Sequence, residues 1–242
     1  MNRTPKNIRG ADGRTAILVG ALLIIGTVSG ALSVALAGSI LSDPNYLSRF
    51  SENQNQIIMG ALFVLMMGLA LAMVPVMLFP IFRKYNEALA MGAVVFRGAL
   101  EAALYIAIVI SWLFLLTISQ QYVKAGSVDA SQFLALGALL LKSSNQIGAI
   151  LDIVFSLGAL MIYYLFYKSK LIPGWLSVWG LVGAMLYLVS GLFALFSVDF
   201  GILEAPLALQ EMVLAIWLIV KGFNSSPVIN NAESIQMAIS PA

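Results

Sequence analysis

The sequence predicts an all-α integral membrane protein, folded as a bundle of six transmembrane helices. Of its 242 residues, 61% are hydrophobic and only 10% are charged, a composition outside the usual range of soluble domains. Apolar runs recur along the chain, and about 20 such residues suffice to cross the hydrocarbon core of a bilayer. Lipid offers no partners to backbone polar groups, and these runs lack the alternation of barrel strands. Each run is therefore predicted to be a helix.

The first predicted span covers residues 15–39. It follows a tail with four basic residues, namely Arg3, Lys6, Arg9 and Arg14. A basic segment before an apolar run is also typical of a secretory signal peptide. Because this run is longer than the apolar core of a signal peptide, we expect it to remain as a membrane helix.

A GxxxG pair, Gly26 and Gly30, lies in this first span. Such a pair lets a neighbouring backbone approach closely. The neighbour is either another helix of the same chain or a second copy, which would make the protein a homodimer.

The other five runs predict spans at about 57–82, 88–119, 146–167, 175–196 and 206–220. Around the third and fourth spans, residues 88–122 and 131–167 would form helices of roughly 50 and 55 Å, longer than the bilayer requires. The polar residues 142–146 mark the expected outer boundary. Residues 131–141 are therefore predicted to continue outside, packed on the end of the third helix. A re-entrant hairpin is the alternative.

Six spans place both termini on one side, and the basic residues predict which side it is. Nine of them fall on the terminal side, whereas Arg49 and Lys124 lie in the opposite loops. Cytoplasmic loops are enriched in Lys and Arg, so both termini are predicted to be cytoplasmic. The predicted organisation is a basic cytoplasmic tail at 1–14, a six-helix transmembrane domain at 15–223 and a flexible cytoplasmic tail at 224–242.

The chain contains neither His nor Cys. This excludes imidazole acid–base chemistry, disulfides and thiolate metal sites. No catalytic residue, metal site or cofactor is predicted, and an enzyme is not favoured. The excess of basic residues is explained by topology, so no nucleic acid partner is expected. The predicted environment is the lipid bilayer of the cell membrane, crossed several times.

Four ionisable residues fall inside the predicted spans: Arg97, Glu101, Asp152 and Glu211. Each costs at least about 2.5 to 3.5 kcal/mol near a helix centre, so we expect them to face one another rather than lipid. Arg97 and Glu101 share a helix face because they are four residues apart. Arg97 is therefore predicted to form a salt bridge with Glu101 or with an acid of the fourth or sixth span.

Three acids against one base leave a surplus of carboxylate, which indicates a binding site for a small ligand, a cation or protons. The candidate binding residues are Arg97, Glu101, Tyr105, Asn145, Asp152, Ser156, Gln210 and Glu211. Estimated depths place Glu101, Asp152 and Glu211 around one polar cavity that opens outward, with Arg97 as its floor. The alternative is a sensor or assembly subunit without turnover, in which the buried charges only hold the helices together.

Three stretches of sequence resemble a bacterial family of multi-spanning membrane proteins known only as a domain of unknown function. They are NEALAMGAVVFRGALEA (86–102), YKSKLIPGWLSVWGLVG (167–183) and QEMVLAIWLIVKGFN (210–224). The resemblance covers most of the chain after residue 10. It implies the membrane fold and a place in the bacterial inner membrane, but it implies no activity, because no mechanism comes with the family.

Overall fold

The computed structural model describes residues 11–125 and 130–224, and this part of the chain is helical almost throughout. The α-helices are α1 (Ala11–Leu41), α2 (Tyr46–Glu52), α3 (Gln54–Phe82), α4 (Glu87–Ala93), α5 (Glu101–Ala125), α6 (Ala130–Ser169), α7 (Gly174–Ala194) and α8 (Ala205–Val220). A π-helical segment (Val94–Leu100) joins α4 to α5, and a 3₁₀-helix (Gly201–Glu204) leads into α8. Most of the two predicted tails lies outside the described residues.

Six helical stretches in the described residues are long and apolar enough to cross a membrane. They are Gly13–Leu41, Gln54–Phe82, Glu87–Ala125, Ala130–Ser169, Gly174–Ala194 and Gly201–Val220. The predicted all-α fold and its six spans are therefore confirmed, and the protein is an integral membrane protein. Large apolar side chains such as Leu62, Phe114 and Leu209 are exposed on the outside of the bundle, where lipid surrounds it.

Successive spans run antiparallel, so both described ends of the chain lie on one face, which we call the terminal face. Gly20, near the start of α1, packs against Ala215, near the end of α8. On the same face the rings of Phe82 and Phe166, near the ends of α3 and α6, are 4.9 Å apart. We call the opposite face the distal face. That the terminal face is cytoplasmic stays a prediction, based on the distribution of basic residues.

Helix α6 is one continuous helix of 40 residues, about 60 Å long. Its first part, residues 131–141, lies beside α5 and α2 at the distal face, where Gly137 packs against Leu47 of α2. The Ser119 hydroxyl of α5 donates a hydrogen bond to the backbone oxygen of Leu47, so α2 also contacts α5. The helix continues on the end of the third span as predicted, so residues 131–141 do not form a re-entrant hairpin. That they lie outside the membrane stays a prediction.

The GxxxG pair of α1 is used inside the chain. A Cβ atom at Gly26 would lie 2.5 Å from the Leu71 side chain of α3, and one at Gly30 would lie 2.7 Å from the Met67 sulfur. The pair therefore allows α3 to approach α1 closely. This corrects the homodimer alternative, because α3 already covers the surface that a seam through Gly26 and Gly30 would need.

Candidate functional site

Arg97 pairs with two glutamates from different spans. Its Nη1 atom donates to Oε1 and Oε2 of Glu101, at 2.7 and 2.9 Å, and its Nη2 atom donates to Oε1 of Glu211, at 2.9 Å. The predicted salt bridge to Glu101 or to an acid of another span is confirmed, since both pairs form. We call Arg97, Glu101 and Glu211 the buried triad. It joins the third span to the sixth across the interior of the bundle.

The triad lies near the middle of the membrane-spanning region. Arg97 is ten residues, or about 15 Å, from the start of its span at Glu87, and Glu211 is nine residues, or about 14 Å, from the end of α8 at Val220. Both distances are measured from the terminal face. They are about half of the roughly 30 Å of hydrocarbon in a bilayer, so neither side chain can reach an interface by extending along its helix.

A widened helical turn carries Arg97. The backbone N–H of Glu101 bonds to the carbonyl of Phe96, five residues earlier, instead of the fourth residue as in an α-helix. Opposite this turn, the α6 backbone comes so close that a Cβ atom at Gly158 would lie 2.7 Å from the backbone nitrogen of Arg97. Single π-helical turns occur frequently at functional sites.

The triad is nearly closed to solvent. Arg97 is 2% exposed and Glu101 is 1% exposed, and the Phe155 ring covers the guanidinium, with its centroid 4.0 Å from the Arg97 Cζ atom. Glu211 retains more exposure, at 12% for its side chain. The cation therefore has its hydrogen-bond acceptors on two sides and an aromatic face on a third.

Asp152 is not a partner of Arg97, and this corrects the predicted single cluster of three acids. The Asp152 carboxylate faces the Tyr187 hydroxyl of α7 and the charge of Glu204. The Ser190 hydroxyl in turn donates to Oε1 of Glu204, at 2.9 Å. These residues form a second polar group, between the triad and the distal face. The Phe155 ring lies between the two groups, with its centroid 4.7 Å from that of Tyr187, and Tyr105 lies close enough to interact with both Glu101 and Asp152.

The other predicted candidates divide between the site and its surroundings. Tyr105 lies close enough to Glu101 and Arg97 to interact with both charges. The Ser156 hydroxyl donates to the backbone oxygen of Asp152 on its own helix, at 2.6 Å, and Gln210 donates to the backbone oxygen of Leu176, at 3.0 Å. Ser156 and the amide nitrogen of Gln210 are thus occupied outside the triad, whereas the buried Oε1 atom of Gln210 has no hydrogen-bond partner in the described part of the chain. Asn145 is exposed, seven residues before Asp152 and further toward the distal face.

A small cavity adjoins the triad on its terminal side. Its volume is about 10 Å³, and it lies between α1, α3, α6 and α8. Its lining residues are Val19, Leu23, Val74, Leu78, Arg97, Ala159, Ile162, Tyr163, Phe166, Glu211 and Leu214. Arg97 and Glu211 thus border it, but Glu101 and Asp152 do not. This cavity is smaller than the expected one and lies toward the terminal face, and the cavity with three acidic walls and an outward opening stays a prediction.

Most of the chain matches a known protein family. Residues 18–222 match the family described as Domain of unknown function (DUF4386). The chain belongs to this family. The match includes all three residues of the buried triad and the whole second polar group. No curated protein and no solved structure matches the chain.

Sequence reasoning missed several residues of this candidate site. Tyr163 and Tyr187 lie within apolar spans, and Glu204 lies just before the last one. A hydroxyl or carboxyl group within or next to a span is a usable signal, since such groups require partners in lipid. Phe155 and Gly158 carried no comparable signal, because apolar and small residues are common throughout the spans.

Proposed function

We propose that this membrane protein binds a proton or a small cation at the buried triad. One observation carries the proposal: two carboxylates, Glu101 and Glu211, contact the same guanidinium at 2.7 to 2.9 Å. A single positive charge balances only one of them. In a nearly water-free interior the second negative charge is costly, so this carboxyl group takes up a proton or a cation.

The dimensions of the site support a proton over a larger ligand. The adjoining cavity of about 10 Å³ is near the smallest that holds one water molecule. Pockets for organic ligands measure about 300 to 1,000 Å³. Binding of an organic solute would need the helices to move apart, whereas a proton needs no additional volume.

The second polar group supports exchange of that proton with the distal side. Asp152, Tyr187 and Glu204 provide hydroxyl and carboxyl groups between the triad and the distal face. Such groups pass protons in membrane proteins when they lie in series. In this proposal Asp152 and Tyr105 belong to the distal route, and Glu211 is the residue that holds the exchangeable proton.

Infrared spectroscopy of the protein in lipid nanodiscs tests the proposal. The expected result is a stretching band of a protonated carboxyl group that disappears in Glu211→Gln or Glu101→Gln. The matched control is Glu87→Gln, which changes an exposed acid of the same span as Arg97 and should leave the band in place. A sodium-dependent change of this band would assign a cation to the site. Absence of both the band and any sodium dependence would refute the proposal.

A structural role is the second candidate function, for a membrane sensor or assembly subunit without turnover. The observation that favours it is the closure of the triad, in which Arg97 is paired on two sides and covered by Phe155. In this case the neutral variant Arg97→Met with Glu101→Gln and Glu211→Gln should be less stable than the wild type, because the contacts that join the third and sixth spans are lost. No protonated carboxyl band should be seen in the wild type.

A further inference from the structure

The cavity beside the triad has the size of a site for one water molecule, and three side chains with polar ends border its mostly apolar wall. A buried water needs about 10 to 15 Å³ and two to four polar partners. The cavity measures about 10 Å³ and is bordered by three side chains with polar ends, Arg97, Tyr163 and Glu211. The rest of its wall is apolar, so these three side chains are the hydrogen-bond partners available to a water placed here.

The three polar side chains at the cavity together provide hydrogen-bond donors and acceptors. Arg97 can only donate hydrogen bonds, an ionised Glu211 can only accept them, and a tyrosine hydroxyl can do both. Glu211 binds Arg97 through Oε1, and it is the most exposed member of the triad. Tyr163 is 2% exposed and lies within electrostatic range of both Glu211 and Arg97. A bridging water would therefore have both donors and an acceptor.

Aromatic rings separate this cavity from the terminal face. Phe166 lines the cavity, and its ring centroid lies 4.9 Å from that of Phe82 and 6.3 Å from that of Phe223. Phe223 follows the end of α8 at Val220, and Phe82 ends α3. A water in the cavity would therefore be held between the triad and this aromatic layer, out of free exchange with bulk solvent.

We propose that one internal water bridges Glu211 and Tyr163 in this cavity and carries protons between the triad and the terminal face. The proposal rests on the proposed function, and it assigns the terminal part of the proton route. When Glu211 takes up a proton, one O–H bond of the water breaks as the carboxyl O–H bond forms. The water regains a proton delivered from solvent at the terminal face through transient opening of the aromatic layer. The water is therefore unchanged after each transfer.

The O–H stretching vibration of internal water gives a test that does not depend on the carboxyl band. In lipid nanodiscs, the wild type should show a narrow water band that shifts in water labelled with the heavy oxygen isotope. Tyr163→Phe removes one hydrogen-bond partner and keeps the ring, so the band should shift or disappear. The matched control is Tyr164→Phe, its exposed neighbour on α6, which should leave the band unchanged.

The two proposals fail in different ways in this experiment. A protonated carboxyl band without an isotope-sensitive water band would overturn the internal water and leave the proton site standing. A water band that Tyr163→Phe does not alter would also overturn the bridge. If neither band is found, the proposed function fails and the water route fails with it.

Discussion

Arg97 is the residue on which the interior of the bundle depends most. It forms ion pairs with two acids that come from spans far apart in sequence. Removing one partner of a buried pair costs about 3 to 5 kcal/mol, because the remaining charge is left without compensation. We expect Arg97→Leu to lower the free energy of unfolding by about this amount, measured by denaturation in mixed micelles. Arg83→Leu, at an exposed position beyond α3, should cause little change.

The pairing itself is tested by a double variant. If Arg97 and Glu101 interact directly, Arg97→Leu combined with Glu101→Gln should be less destabilising than the sum of the two single changes. Additive losses would contradict the pair.

Gly158 lets α6 touch the backbone at Arg97. A Cβ atom there would lie 2.7 Å from the Arg97 nitrogen, so Gly158→Ala must push the two spans apart. Overpacking of this kind costs about 1 to 3 kcal/mol of folding free energy. The control lies on the same helix: a Cβ atom at Gly148 meets no neighbour within 4 Å, so Gly148→Ala should be neutral or slightly stabilising. Equal effects of the two changes would show that the close approach at Arg97 is unimportant.

The sequence predicted the ion pairs of Arg97 more reliably than the cavity beside them. The four-residue spacing of Arg97 and Glu101 places both on one helix face, and the cost of a lone charge in lipid requires a partner for the guanidinium. The partner Glu211 was among the predicted acids. The predicted place of Asp152 beside Arg97 was wrong, because depth along α6 does not determine the direction in which a side chain points. It turns toward Tyr187 instead of Arg97.

The π-helical segment is the element that positions Arg97 between α4 and α5. Its wide turn holds one residue more than an α-helical turn, so one residue fewer would restore a regular helix and move Arg97 out of its place in the turn. Deletion of Val95, which is largely exposed, should therefore break the fit of Arg97 against Gly158 and lower the denaturation temperature. Val95→Ala keeps the chain length and should change it little. An equally stable deletion variant would mean that the wide turn is not needed.

Sequence patterns predicted the helix but not its wide turn. The letters VVFRGAL read as part of one apolar span, and nothing in their spacing distinguishes five-residue from four-residue hydrogen bonding. The turn forms where Arg97 faces Glu211 and where α6 approaches through Gly158. Both contacts are made by distant parts of the chain, so local propensity could not reveal them.

For the molecule as a whole, hydropathy was sufficient to predict the number of spans, because lipid admits few other structures. It was not sufficient to predict which helices adjoin. The spans are apolar on nearly all sides, and so their periodicity does not identify the faces that pack. The neighbours follow instead from small residues such as Gly26 and Gly158 and from the triad, none of which forms a regular pattern.

The predicted orientation can be tested by labelling. Because the chain contains no native Cys, each single-cysteine variant has one reactive thiol. Asn45, at the distal face, and Glu87, at the terminal face, are both exposed. In intact cells, an impermeant thiol reagent should label Asn45→Cys, whereas Glu87→Cys should react only after the membrane is opened. The reverse pattern would place the termini outside.

Because α6 is longer than the bilayer core is thick, it can be used to locate the boundary of the lipid along the chain. About 60 Å of continuous helix exceeds the roughly 30 Å of hydrocarbon, so we expect residues 131–141 to lie outside the lipid without a break in the backbone. Amide hydrogen exchange with heavy water should therefore be faster in residues 131–141 than in residues 147–165. The step between the two rates, expected near the polar residues 142–146, would mark the depth at which lipid ends. Measured in bilayers of different acyl chain length, its position would show whether the membrane adapts to the protein or the protein shifts in the membrane.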